Sequence, residues 1–380
     1  MIRTSRTYRW IISVALVVLA TFPASFIGRT QDAAPALKKV TVGDGVVLHY
    51  EERGNGTPVI FVHGSLSDGS YWHDQLAPFA EAGFRAIAYS RRYNFPNTNK
   101  ARAGYSAVVD ADDLAALIEK LDLGKVNVVG HSYGALTALF LAVRHPELVR
   151  RLVLCEAPAV SLLGHLPGDQ TAVGTATLAD IQARMVKPMQ AAFRKGDRDA
   201  GIRAFMAYVF NDPQAWDKMS DSARQETLRD AREWDVMMTK GTLFPDIEPE
   251  AIRGIKVPVL ILSGEKSYPF LSLIDEELAR LLPNSQRIIV HGAGHQMWFQ
   301  EPDQCRSAVE EFLRRNDGAM QIRKSAHSER LLLRSGSLPR SIRHAVYCSK
   351  GEGGGGKILL ELVSEYDQPA STEEHAKNAV

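Results

Sequence analysis

Cysteine is scarce in this chain, and three in 380 residues leave little basis for a disulfide framework. Cys155 falls on an apolar, strand-like run, Cys305 on a helix-like segment and Cys348 in the C-terminal tail. An excess of either charge is also missing. A formal net charge of +1 gives no electrostatic reason to expect nucleic acid or a strongly acidic partner. No metal-ligand spacing, phosphate loop or dinucleotide fingerprint occurs, and the eleven histidines are scattered, so neither a metal nor a cofactor is expected. No internal repeat is apparent. What is left is an ordinary globular composition, 45% hydrophobic and 23% charged, in a chain long enough to bury a large core.

Against that background one stretch stands out. Gly130-His131-Ser132-Tyr133-Gly134 follows the apolar run at 126–129 and opens into a helix-like segment at 135–144. Strand, tight turn and helix in that order lift a serine hydroxyl out of the chain, where a histidine can take its proton. The turn needs glycine on both sides, because side chains there would crowd the neighbouring strand and helix. Two further runs carry suitable loops. The apolar run at 58–62 leads into His63-Gly64-Ser65-Leu66, and the run at 287–290 leads into Gly292-Ala293-Gly294-His295.

With Ser132 first, His295 last and Phe299-Gln300-Glu301-Pro302 just beyond, residues 40–315 resemble the α/β-hydrolase superfamily. The resemblance implies an α/β fold: a mostly parallel central sheet flanked by helices, with a helical cap inserted between strands 6 and 7. It implies Ser132 as nucleophile and His295 as base, with the backbone N–H groups of Ser65 and Tyr133 as the oxyanion hole. Gly130 and Gly134 are then the elbow glycines, Gly64 supports the oxyanion loop, and His63 is read as a brace for that loop rather than a base. A serine nucleophile excludes the aspartate-based dehalogenases and epoxide hydrolases of the same fold. It points instead to acyl transfer, with a small-molecule ester or related carbonyl compound as the partner.

The acid departs from the family pattern. Where most relatives carry an Asp, the turn after the run at 257–262 reads Gly264-Glu265-Lys266-Ser267, and a serine cannot hold the imidazole tautomer. The run at 151–155 ends in Glu156, and a subset of the superfamily supplies its acid from that strand end. Glu156 is the first choice and Glu265 the alternative. Two other activities stay open: carbon–carbon bond hydrolysis on the same fold, and a non-catalytic small-molecule-binding protein that has kept the fold.

The rest of the chain sorts by composition. Arg3, Arg6 and Arg9 precede an apolar run from Trp10 to Phe22, which reads as an export signal within 1–28 or as an uncleaved membrane anchor through residues 10–28. Either reading places the enzyme outside the cytoplasm, after a linker at 29–39. Residues 40–157 and 257–315 are the two parts of the core. Between them, residues 158–256 carry apolar positions at helical spacing, including Ile181, Met185, Met189 and Phe193, and form the cap. Residues 316–380 are basic, Ser- and Gly-rich and expected to be largely disordered. The sequence leaves the oligomeric state open.

Overall fold

Eight strands form one sheet in the computed structural model, which describes residues 37–315. The segment expected to direct export, most of the linker and the basic tail lie outside the described residues. The strands are β1 (Lys38–Thr41), β2 (Val47–Arg53), β3 (Thr57–Val62), β4 (Phe84–Tyr89), β5 (Val126–His131), β6 (Val149–Cys155), β7 (Val259–Gly264) and β8 (Ser285–Val290). Their order is β1-β2-β4-β3-β5-β6-β7-β8, antiparallel at β1/β2 and β2/β4 and parallel from β4 to β8. The sheet starts at Lys38, inside the stretch read as linker, because residues 38–41 pair with β2.

Parallel strands need crossovers, and helices supply them. In chain order they are α1 (His73–Glu81), α2 (Ala107–Lys120) and α3 (Tyr133–Arg144), then α4 (Gln170–Ile181), α5 (Lys187–Arg194), α6 (Arg198–Val209), α7 (Asp221–Asp230) and α8 (Arg232–Lys240). After these come α9 (Pro249–Arg253), α10 (Pro269–Leu281), α11 (Met297–Gln300) and α12 (Pro302–Arg314). Successive strand residues point to opposite faces, so β3 serves two cores at once. Val59 and Phe61 join Phe79 of α1 and Phe312 of α12, while Ile60 and Val62 join Leu114 of α2 and Leu136 of α3. Burial on both faces explains why the inner strands read as continuous apolar runs rather than alternating ones.

Helices α4 to α8 lie between β6 and β7, where the cap was expected. A π turn at Gln182–Val186 joins α4 to α5, and Ile181, Met185, Met189 and Phe193 are all buried through it. They belong to the same apolar cluster as α2 and α3, so the cap has no separate core. Leu162, Leu163, Met237 and Met238 are buried in that cluster too. Among the described residues, no helix is long and apolar enough to cross a membrane.

The topology decides where chemistry can occur. β3, β5, β6, β7 and β8 run parallel, and the loops that leave their carboxyl ends converge on one edge of the sheet, where ligands of open α/β folds bind. His63, Ser132, Glu156, Ser267 and His295 all lie just beyond those ends.

Candidate active site

Ser132 sits between β5 and α3 with φ 54° and ψ −124°, a conformation that residues with a side chain seldom adopt. Close packing enforces it. A Cβ on Gly134 would come within 2.2 Å of the Val62 carbonyl oxygen, and one on Gly130 within 2.5 Å of the Gly134 carbonyl oxygen. Without side chains at those two positions α3 can rest on β3, and the chain must turn sharply at Ser132. The Ser132 N–H is held by the Cys155 carbonyl at 2.9 Å, which ties the elbow to the end of β6.

The residue after β6 is Glu156, 1% exposed and also at positive φ, 54°. Its carboxylate accepts three hydrogen bonds: from the Gly264 N–H (2.7 Å, Oε1), the Ser267 hydroxyl (2.7 Å, Oε2) and His295 Nδ1–H (2.5 Å, Oε2). Glu156 is therefore the carboxylate bonded to His295. Glu265 stands elsewhere, accepting from the Gly292 N–H at 2.8 Å and lying 3.3 Å from the exposed His291. Ser267, at the position of the missing Asp, donates to the acid instead of replacing it. Sequence alone gave no signal for that support, because the bond joins turns 111 positions apart.

With its Nδ1–H engaged, His295 has Nε2 left without a protein partner among the described residues. Ser132 and His295 line the same cavity, although no hydrogen bond joins them in this structure. Such bonds commonly tighten only once substrate is bound. The two N–H groups expected to receive an oxyanion are open. The Tyr133 N–H begins α3 and has no intrahelical partner, and the Ser65 N–H meets no protein acceptor.

His63 is tied by hydrogen bonds to the chain on either side of it. It is fully buried, its Nδ1–H donates to the Gly64 carbonyl at 2.8 Å, and its Nε2 accepts the Arg91 N–H at 3.0 Å. Burial, aided by the Arg91 guanidinium, holds its pKa well below the ordinary histidine range, so it stays neutral. His131, which the sequence reading passed over, has a similar task. Its Nε2–H donates to the His295 carbonyl at 2.8 Å, and its ring stacks on Tyr71 with centroids 5.2 Å apart. Burial, with His295 beside it, pushes the His131 pKa down to about 3. A neutral ring can thus anchor the loop that carries His295 without adding a charge near it.

Around this edge lies a cavity of about 820 Å³, walled by Phe205, Met206, Phe210, Tyr268 and Phe299 on its apolar side. Its polar side carries Asp68, Asp212, Glu226 and Asp230 against Lys218 and Arg229. Both cations are already paired. Arg229 donates to Asp68 (2.5 Å) and Asp230 (3.2 Å), and Lys218 to Asp212 (2.5 Å). Burial pushes the Asp230 carboxyl up to about 6, so it still ionises at neutral pH. A second pocket of about 50 Å³ also opens on Ser132 and His295, lined by Met185, Trp234, Leu243, Phe244 and Leu271. Among the described residues, no group of three or more His, Cys, Asp or Glu side chains could hold a metal ion.

Comparison with known proteins agrees with this fold. Residues 59–308 match the model of the alpha/beta hydrolase family. The chain is 29% identical over 305 residues to 2-hydroxy-6-oxo-6-(2'-aminophenyl)hexa-2,4-dienoic acid hydrolase of Metapseudomonas resinovorans, covering 77% of this chain and 96% of that protein. It is 28% identical over 279 residues to 2-(acetamidomethylene)succinate hydrolase of Mesorhizobium japonicum, covering 73% and 94% respectively. Among solved structures, the enol-lactonase of Burkholderia xenovorans LB400 superposes with a TM-score of 0.58 at 20% identity, over 73% of this chain and all of that one.

Proposed function

The chain belongs to the alpha/beta hydrolase family, and from that premise we propose that it is a serine hydrolase of esters or closely related carbonyl compounds. The observation that carries this reading is the buried Glu156 carboxylate on His295 Nδ1, beside a serine held in a strained elbow. In the first half-reaction Ser132 Oγ attacks the carbonyl carbon while His295 Nε2 takes the hydroxyl proton. Glu156 stabilises the imidazolium that forms, and the Ser65 and Tyr133 N–H groups receive the oxyanion. Collapse expels the leaving group, which takes the proton from His295. A water molecule then repeats the sequence on the acyl-enzyme, releasing acid and free Ser132.

The two pockets support a substrate of unequal halves. The small apolar pocket suits a short acyl chain, and the cavity, more than ten times its volume, suits the larger leaving group. A cavity wall whose cations are already neutralised by carboxylates favours a neutral leaving group over an anionic one. The Metapseudomonas resinovorans relative favours a second reading, carbon–carbon hydrolysis of a diketone-like acid, but an acid substrate would have to compete with Asp68 and Asp230 for Arg229.

Initial rates on p-nitrophenyl esters from acetate to octanoate, with Ser132→Ala as control, test the proposal. Turnover that needs Ser132 and declines beyond butyrate is expected. Ester turnover that survives Ser132→Ala, or none with folded protein, would overturn it.

A further inference from the structure

The oxyanion loop is fixed from the cap. Leu66, directly after Ser65, donates its N–H to Glu233 Oε1 of α8 at 2.6 Å, across 167 positions of sequence. Glu233 Oε2 accepts from Arg91 Nη2 at 2.5 Å, and the same Nη2 donates to the Gly64 carbonyl at 3.0 Å. Arg91 also reaches the His63 carbonyl through Nε (3.3 Å) and Asp110 of α2 through Nη1 (2.7 Å). The side chains of Arg91, Asp110 and Glu233 are all fully buried.

One buried pair thus grips both neighbours of Ser65, Gly64 by its carbonyl and Leu66 by its N–H, while the Ser65 N–H itself stays open. Leu66 is held at φ 54°, a conformation leucine avoids and keeps only where its surroundings impose it. We propose that Glu233 is a positioning residue for catalysis: from the cap, it fixes the peptide that aims the Ser65 N–H at the oxyanion. The inference rests on the reading of Ser65 as an oxyanion donor.

The carboxylate form matters because Glu233 must accept on both oxygens. An amide offers one acceptor and one donor, so Glu233→Gln has to lose either the Leu66 bond or the Arg91 bond. Arg91 keeps Asp110 as its counter-charge in that variant, which leaves no cation buried alone.

Losing an oxyanion donor outright costs about a hundred- to a thousandfold in kcat, so a misaimed donor should cost roughly ten- to a hundredfold. In the full chain, Glu233→Gln is expected to lower kcat for p-nitrophenyl acetate by that factor with KM little changed. A trifluoromethyl ketone, which forms an oxyanion on Ser132, should lose affinity in parallel, whereas the matching methyl ketone should not. A structural role alone would leave that ratio untouched. Glu233→Met, similar in volume, should show the same split and serves if the amide variant does not fold. Unchanged kcat, or equal loss of affinity for both ketones, would overturn the proposal. If wild-type turnover does not depend on Ser132, the hydrolase reading fails instead.

Discussion

Glu156 and Glu233 are both buried glutamates that take a backbone N–H at one oxygen, yet they face different partners. Glu156, directly after β6, faces His295, which in the proposed mechanism gains a proton from the nucleophile. Glu233, in the cap, faces Arg91, a cation at every stage of the reaction. A carboxylate beside a permanent cation stabilises the resting structure and the transition state alike, so its direct charge contribution to rate cancels. A carboxylate beside a histidine interacts most strongly when the imidazolium appears. In the proposed mechanism the first carboxylate belongs to the chemistry and the second to the geometry, although both are buried alike.

The sharpest way to break that distinction is Glu156→Gln. The new carbonyl can still accept the Gly264 N–H, but the amide then points a donor at His295 Nδ1 and favours the tautomer that cannot take a proton from Ser132. A triad acid made neutral in this way costs about ten-thousandfold in kcat. Thermal unfolding should show the variant still folded. Glu265→Gln should leave kcat within about twofold, as expected for an exposed carboxylate away from the reacting groups. A comparable loss in both variants would move the acid away from Glu156.

The second test acts on stability. Arg91→Met leaves the buried carboxylates of Asp110 and Glu233 without their cation, and breaking a buried ion pair from one side typically costs about 3–5 kcal/mol. The denaturant midpoint should fall accordingly. Adding Glu233→Gln to Arg91→Met should destabilise less than the sum of the two single changes, since one stranded charge is gone. Strict additivity would show that Arg91 and Glu233 are not energetically coupled.

The two glutamates also mark what was legible in the sequence. The elbow, the oxyanion loop and the histidine turn were readable because each is local: a strand, a glycine-bearing turn and the next element are contiguous in the chain. Glu156 was readable only as the carboxylate at a neighbouring strand end, once Ser267 had taken the usual Asp position. Glu233 and Arg91 were not readable. A charged residue in a helix normally marks the solvent face, and only the fold brings Glu233 to a partner 142 positions earlier. His131 lay inside the motif but escaped notice, because its partner is a backbone carbonyl, which no residue type announces. The β1 boundary was missed for a related reason: Lys38 and Lys39 are polar and exposed, and only pairing with β2 makes them a strand.

The smallest expected effect concerns how much help the Glu156 carboxylate needs. Ser267 donates to Oε2, the oxygen that also takes His295 Nδ1–H, while the Gly264 N–H holds Oε1. In Ser267→Ala the backbone bond and the negative charge both remain, so the tautomer of His295 is preserved and the large loss expected of Glu156→Gln should not occur. What disappears is one restraint on rotation of the carboxylate. A side-chain hydrogen bond of this kind is worth about 1 kcal/mol net, which corresponds to roughly a fivefold decrease in kcat. Ser267 lines neither pocket, so KM should not follow. Steady-state rates on p-nitrophenyl acetate separate the outcomes. A fall near that of Glu156→Gln would make the serine an essential part of the acid, and an unchanged kcat would show that the Gly264 N–H and His295 hold the carboxylate unaided.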